Sequence, residues 1–267
     1  MQWDPERYLD YSAERARPFH DLMGRVAPGQ SGQPGLVVDL GCGPATLTLT
    51  LAERWPGARV VGVDSSAEMI DAAAAARAAG VELVRAYLRE WRPPGPVDVL
   101  VSNATLQWVP HHLELLPRLV SSVAPGGWVA LQVPGNFTAP SHALLHELAD
   151  SPRWRDRLGG DRVQRPAAHD AVVYVAAFAA LGCVVDAWET TYLHVLPGED
   201  PVLEWMRGTG LRPVLEALDE SERAEFVDDY GAALRAAYPR QPYGTVLEFR
   251  RVFAVAQRGA AERAEEG

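Results

Sequence analysis

The chain has 267 residues, of which 48% are apolar, so it can form one large α/β domain with a substantial core. Its formal net charge is −10, all its basic residues are arginine, and no basic stripe with interleaved aromatic residues occurs, so we expect no nucleic-acid partner. A signal-peptide pattern and an apolar run of the roughly 20 residues that a membrane span needs are both missing, so we expect a cytoplasmic protein without a membrane partner.

Strands and helices alternate in the first half of the chain. A helix over residues 4–23 comes first, and a connector rich in glycine and proline follows it. The pattern then predicts strands at 36–39, 59–64, 82–85, 97–102 and 128–133, with helices at 46–55, 66–79 and 112–123. Such alternation is typical of a doubly wound parallel sheet.

The second half is less regular. It predicts a helix at 171–181, a strand at 183–195, helices within 201–238 and a last strand at 246–256. The sequence thus predicts one α/β domain with a doubly wound, mostly parallel, seven-stranded sheet and a helical lid. We assign cofactor binding to residues 28–135, and the lid and substrate binding to the insertions 136–170 and 196–245.

A glycine turn after the first strand indicates the kind of cofactor. Residues 36–43 read LVVDLGCG, and a second acid, Asp64, ends the next strand. Residues 44–46 lack the third glycine of a dinucleotide fingerprint, and Asp39 would repel a pyrophosphate. The pattern therefore favours S-adenosylmethionine, whose methionine portion is cationic. An NAD-dependent oxidoreductase is the less favoured alternative.

The order of the strands and helices predicts which residues contact each part of the cofactor. Asp39 and the glycines would hold the methionine portion, and Asp64 would bind the ribose. Ser65 and Met69 would line the adenosine pocket. Asn103, at the end of the fourth strand, and the following Leu106, Gln107 and Trp108 are expected beside the reacting sulfonium, since ligands bind at the carboxyl ends of such strands.

Eight segments spread over nearly the whole chain carry a resemblance to a known family. They are WDPERY at 3–8, SAERARP at 12–18, DLGCGP at 39–44, GVDSS at 62–66, SNATLQW at 102–108, VPGN at 133–136, TTYLH at 190–194 and TGLRP at 209–213. With them the chain resembles the trans-aconitate 2-methyltransferases, a family of class I S-adenosylmethionine enzymes. The resemblance implies methyl transfer to one carboxylate of trans-aconitate, which gives a monomethyl ester and S-adenosylhomocysteine.

This chemistry needs no general base, because a carboxylate is already ionised at neutral pH. We therefore predict no acid–base catalytic residue and no metal; Asn103 and Trp108 would line the reaction centre. The trianionic substrate instead needs cations and hydroxyl donors, for which the candidates are Tyr8, Arg15, Arg17, Tyr192, His194, Arg250 and Arg251.

The predicted site is therefore as follows. Cofactor contacts are assigned to Tyr8, Arg15, Asp39, Gly41, Cys42, Gly43, Asp64, Ser65, Met69, Leu88 and Asn103. Substrate contacts are assigned to Arg17, Trp108, Tyr192, His194 and Arg251.

One position departs from the family pattern. Tyr87 stands where methyltransferases of this type usually place an acid for the adenine amino group. A tyrosine can accept a hydrogen bond or pack on the adenine but carries no charge at neutral pH, and the Leu88 backbone can still bind the ring. Elsewhere, His111 and His112 are expected in an exposed turn, and the arginines of 153–165 in a solvated loop. Three alternatives stay open: another small acid as acceptor, a non-catalytic S-adenosylmethionine-binding protein, and an oligomer instead of the favoured monomer.

Overall fold

The computed structural model describes residues 12–27 and 33–260. Seven strands form one sheet in the order β3-β2-β1-β4-β5-β7-β6, and only β7 runs antiparallel to its neighbours. The strands are β1 Leu36–Leu40, β2 Arg59–Asp64, β3 Glu82–Arg85, β4 Val97–Asn103, β5 Val123–Pro134, β6 Cys183–Leu196 and β7 Thr245–Arg258. This confirms the predicted doubly wound, mostly parallel sheet.

Helices flank the sheet and form a layer at one edge. They are α1 Ser12–Met23, α2 Thr46–Arg54, α3 Ala67–Ala72, α4 Ala74–Ala78, α5 Leu116–Ser122, α6 Pro140–Ala149, α7 Arg155–Leu158, α8 Ala171–Ala179, α9 Pro201–Arg207, α10 Arg212–Ala217 and α11 Glu220–Ala237. Short 3₁₀ turns lie at Leu106–Trp108, His112–Leu115 and Gly160–Arg162. Within the described ranges, no helix is long and apolar enough to cross a membrane.

The central strands are buried on both faces. Every residue of β1 is buried, Asp39 included, as expected of a parallel strand covered on both faces. One apolar cluster covers the face packed by α5 and α8, and a second covers the face packed by α1 and α2. This burial fixes where β1 and β2 end, and with them the positions of Asp39 and Asp64.

The insertions predicted to form a lid contain α6, α7 and α9–α11, which have an apolar core of their own and are called the lid here after that prediction. Trp205, Phe226 and Tyr230 are fully buried there. The Tyr230 hydroxyl donates to the Ser141 carbonyl oxygen over 2.6 Å, which ties α11 to α6. Asp219 and Glu222 form a capping box that starts α11. The lid is thus a packed helical unit above the carboxyl ends of the strands.

Three predictions of local structure need correction. The helix predicted over 66–79 is interrupted at Ala73, which separates α3 from α4. Strand β5 begins earlier than predicted, because Val123 already pairs with Val97. His112 is buried, and its Nε2 atom lies 2.8 Å from the Tyr174 hydroxyl, so the exposed turn predicted for it is wrong.

Candidate active site

The glycine turn after β1 is held in a left-handed conformation. Gly41 has φ +81°, and a Cβ atom there would lie 2.1 Å from Thr105 Oγ1. Thr105 in turn donates to the Gly41 carbonyl oxygen over 3.3 Å. Gly43 has φ +56° and nothing within 4 Å of the place where its Cβ would stand. Gly41 therefore lets the chain pass Thr105, whereas Gly43 leaves open space for a ligand.

Asp64 braces this turn from the end of β2. One carboxylate oxygen accepts from the Gly43 backbone N–H over 2.9 Å, and the other accepts from the Ser66 N–H over 2.8 Å. Burial raises the pKa of Asp64, while these backbone donors act against the rise. Ser66 then caps α3 by accepting from the Met69 N–H over 3.2 Å. The acid expected to bind ribose therefore also shapes the loop beside it.

Asp39 lies deeper, with 3% of its surface exposed. Its Oδ2 atom accepts from the Thr48 hydroxyl over 2.6 Å, which joins β1 to α2. Burial raises the pKa of Asp39 to about 6, and the nearby Asp64 charge adds to the rise. A cationic ligand close to this pair would favour the ionised carboxylate.

The cofactor cleft is a cavity of about 510 Å³ beside the glycine turn. It brings together seven of the residues predicted to bind cofactor. Its lining includes Gly41, Gly43, Asp64, Ser65, Met69, Leu88, Asn103, Thr105 and Trp108. Tyr87 lines the rim with 64% of its surface exposed. Cys42 is instead buried, and its sulfur lies about 3.0 Å from where a Gly62 Cβ would stand.

A second cavity, of about 70 Å³, lies between the sheet edge and the helices of the insertions, and we call it the acceptor cavity after the role predicted for its residues. It shares Asn103, Ala104 and Trp108 with the cofactor cleft. The rest of its lining is Gln107, Pro134, Asn136, Phe137, His142, Pro166, Trp205, Thr209, Gly210, Phe249 and Arg251. The two cavities therefore meet at the end of β4, where the predicted reaction centre lies.

The acceptor cavity contains a buried cation. Arg251 is only 5% exposed, and its guanidinium carbon lies 4.2 Å from the centre of the Phe249 ring. The next residue toward the N-terminus behaves differently: Arg250 pairs with Glu189 and Asp170 on the outer side of the sheet. Alternation along β7 thus sends one arginine to the cavity and the other to an ion-pair cluster.

Polar atoms of the same cavity lack partners. Asn103 Oδ1, Gln107 Oε1 and both amide atoms of Asn136 are buried and have no hydrogen-bond partner among the residues that the structure describes. His142 also lines the cavity, and burial lowers its pKa to about 4, so it is neutral at pH 7. The unpartnered amide atoms of Asn103, Gln107 and Asn136 can hydrogen-bond a polar ligand at little cost, since they give up no existing bond.

Three predicted substrate residues lie behind the cavity wall. The Tyr192 hydroxyl donates to Asp21 Oδ2 over 2.5 Å, and the Arg17 guanidinium carbon lies 5.0 Å from the Tyr192 ring centre. His194 stacks between Tyr192 and Trp205, with ring centres 6.3 and 5.0 Å away. Of these rings, only Trp205 belongs to the lining. Tyr8 and the Arg15 side chain lie outside the described part of the structure.

Several lining residues had no predicted role. Asn136 and Thr209 lie in the segments VPGN and TGLRP, which carry the family resemblance, so a signal was present without an assignment. His142 and Trp205 lie in lid helices whose contacts depend on tertiary packing. Three arginines of the 153–165 segment form ion pairs at the surface, namely Arg153 with Glu225, Arg157 with Glu222 and Arg165 with Asp150.

Fold and cleft together define a class I methyltransferase domain, and residues 37–127 match the family model of the methyltransferase domain. The solved phosphoethanolamine N-methyltransferase 2 of Haemonchus contortus has a similar fold, with a TM-score of 0.52 and 15% identity, covering 91% of this chain and 52% of its own.

Sequence relatives are more specific. The trans-aconitate 2-methyltransferase of Streptomyces coelicolor is 53% identical, covering 96% of this chain and 86% of its own length. Its namesake from Mycobacterium tuberculosis is 46% identical and covers 98% of both chains. The chain belongs to the trans-aconitate 2-methyltransferase family.

Proposed function

We propose that this protein transfers a methyl group from S-adenosylmethionine to a carboxylate of trans-aconitate, producing a monomethyl ester and S-adenosylhomocysteine. The observation that carries the proposal is the junction of the two cavities. A cleft whose residues suit an adenosyl ligand meets, at Asn103 and Trp108, a second cavity that is lined by the buried cation Arg251. The names of the relatives support the same substrate.

The cleft residues fit S-adenosylmethionine, which when bound supplies a methyl group on a sulfonium. Gly43 leaves space for close backbone approach, and Asp64 is positioned for ribose hydroxyls. Asn103 lines both cavities, and its Oδ1 atom, which has no partner among the described residues, would accept from the ligand's ammonium group. We assign the remaining cofactor contacts to Asp39, Gly41, Cys42, Ser65, Met69, the Leu88 backbone, Tyr8 and Arg15.

Catalysis in this site rests on position. The attacking group is an ionised carboxylate oxygen, so no residue has to remove a proton. Arg251 would hold the anion, and Trp108 would help to confine it where the cavities meet. Enclosure removes water from the nucleophile and keeps it aligned with the methyl carbon. Arg17, Tyr192 and His194 would act on the acceptor indirectly. They would hold Trp205 in place, because Arg17 packs on Tyr192 and the His194 ring stacks on Trp205.

The direct test is a mass-spectrometric assay of purified protein with S-adenosylmethionine and trans-aconitate, with citrate and cis-aconitate as comparison acids. We expect a monomethyl ester formed preferentially from trans-aconitate. Ester formation from a different acid alone would replace the substrate. A protein that binds the cofactor by calorimetry but esterifies no acid would support the non-catalytic alternative.

A further inference from the structure

Asn136 is a polar side chain placed at a cost to folding. It is 3% exposed and lines the acceptor cavity. Neither its Nδ2 nor its Oδ1 atom has a hydrogen-bond partner among the residues that the structure describes. Burying an amide without partners is unfavourable, so a leucine of similar size would suit the folded protein better.

The backbone holds Asn136 firmly in place. Its carbonyl oxygen accepts from the Ala139 N–H over 3.0 Å, in the turn that leads into α6. The preceding N–H, of Gly135, donates to the Arg250 carbonyl oxygen over 2.9 Å. A Cβ at Gly135 would lie 2.8 Å from Val252 Cγ2, so a glycine is needed for the chain to pass this close to β7 as it leaves β5. The amide is therefore presented by a fixed turn.

This turn starts beside the buried cation. Pro134 is the register partner of Arg251 in the β5–β7 ladder, and Asn136 follows two residues later. All three residues line the acceptor cavity. A carboxylate only accepts hydrogen bonds, while a guanidinium and an amide NH₂ both donate them. One carboxylate can thus bind both groups, the cation supplying charge and the amide supplying direction.

We infer that Asn136 is a specificity-determining residue, which donates to a non-reacting carboxylate of the acceptor next to Arg251. The inference rests on the proposed function. It adds which residue recognises one carboxylate arm of the proposed substrate. A neutral amide suits this role, because its affinity for the anion depends on hydrogen-bond geometry more than on long-range charge.

The first test is Asn136→Leu. We expect the KM for trans-aconitate to rise by about 10-fold to 100-fold, the range for a hydrogen bond to a charged group. The cofactor dissociation constant should stay within about 3-fold of wild type, and thermal stability should stay equal or rise, since an unpaired buried amide is removed. A purely structural role gives the opposite pattern, a loss of stability with little change in KM, and would overturn the inference.

The second test removes carboxylates from the ligand instead of the protein. Itaconate, mesaconate and glutaconate each lack a different carboxylate of trans-aconitate, and their inhibition constants are measured with wild type and Asn136→Leu. We expect the variant to weaken two of them by about 10-fold and to leave the third, which lacks the arm held by Asn136, within about 3-fold. Equal weakening of all three, or of none, contradicts the inference.

Gln132→Leu is the matched control. Gln132 is a second buried amide of β5, 1% exposed and without a partner for either amide atom in the described ranges, but it does not belong to the cavity lining. We expect its inhibition constants to match wild type. Asn136→Ala repeats the measurement if the leucine variant fails to fold. Binding of the acids that depends on Asn136, without ester formation, would refute the proposed function alone; no binding of any acid would refute both.

Discussion

The cofactor cleft and the acceptor cavity meet at Asn103, yet they are built in opposite ways. At the cleft, the two acids of the glycine turn already have protein partners: Asp64, in the lining, accepts from two backbone N–H groups, and Asp39, buried behind it, accepts from Thr48. In the cavity, the amides of Gln107 and Asn136 hold atoms that have no partner in the described residues. The cleft is preorganised before the ligand arrives, whereas the cavity stores unfavourable energy that an acceptor can relieve.

The largest effect should come from Arg251, whose loss leaves an anion in an enclosed site. We expect Arg251→Met to lower kcat/KM for trans-aconitate by about 100-fold or more. The cofactor dissociation constant, measured by calorimetry, should change by less than about 3-fold, because the defect is confined to the cavity.

The control is Arg258→Met on the same strand. Arg258 donates to carbonyl oxygens that include Ser121 O, at the opposite end of β7. It should keep kcat/KM near wild type. If Arg251→Met retains full activity, or if both variants lose it equally, the cavity is not where the acceptor binds.

Variants of Asp64 should impair the cofactor cleft and leave the acceptor cavity intact. Asp64→Ala removes the ribose acceptor and the brace on Gly43 together, so we expect the cofactor to bind about 30-fold more weakly. Asp64→Asn retains one acceptor oxygen, so its affinity for the cofactor should lie between those of wild type and Asp64→Ala. At saturating cofactor, the KM for the acid should stay near wild type. If an Asp64 variant raised only the KM for the acid, the cleft and the cavity would not serve separate ligands.

Low pH should weaken cofactor binding through Asp39, whose pKa is raised to about 6. Since a nearby cationic ligand favours the ionised form, a proton must leave before binding, and affinity falls as the pH falls through this value. We expect affinity for S-adenosylmethionine to drop by about 10-fold from pH 7 to pH 5. Asp39→Asn should bind more weakly at pH 7 and show a flat profile. A calorimetric titration across this range checks both, and an unchanged slope in the variant assigns the effect elsewhere.

The smallest effect concerns Tyr87 on the cleft rim. Tyr87→Asp should strengthen cofactor binding by about 3-fold, because a carboxylate accepts from the adenine amino group more strongly than a phenol does. Tyr243→Asp, at another exposed tyrosine, adds the same charge away from the cleft and should leave affinity unchanged. Equal or weaker binding in Tyr87→Asp would show that the rim does not contact adenine.

The cleft was predictable because its parts are close in sequence. Strands β2 and β3 begin and end at the predicted residues, since a buried apolar run marks β2, a short apolar pair marks β3, and Pro-Gly or Gly breaks precede them. The glycine turn and Asp64 follow from those ends, and the cleft contains both.

The cavity was less predictable because its residues come from distant segments. Asn136, Thr209 and Arg251 meet only after the lid and β7 pack. Strand alternation placed Tyr192 and His194 on β6 but could not show that Asp21 would take the Tyr192 hydroxyl. His112 was misjudged for the same reason, since its partner Tyr174 lies on a later helix.

The position of β7 has a consequence for biosynthesis. This strand is the last of the sheet to leave the ribosome, yet it lies between β5 and β6 and pairs with both. While the chain is being made, β6 has no neighbour to join, and the arginine of the acceptor cavity is not yet present. The glycine turn and β1–β4 can form earlier from local contacts. A nascent chain would therefore gain the ability to hold its methyl donor before it can recognise an acid.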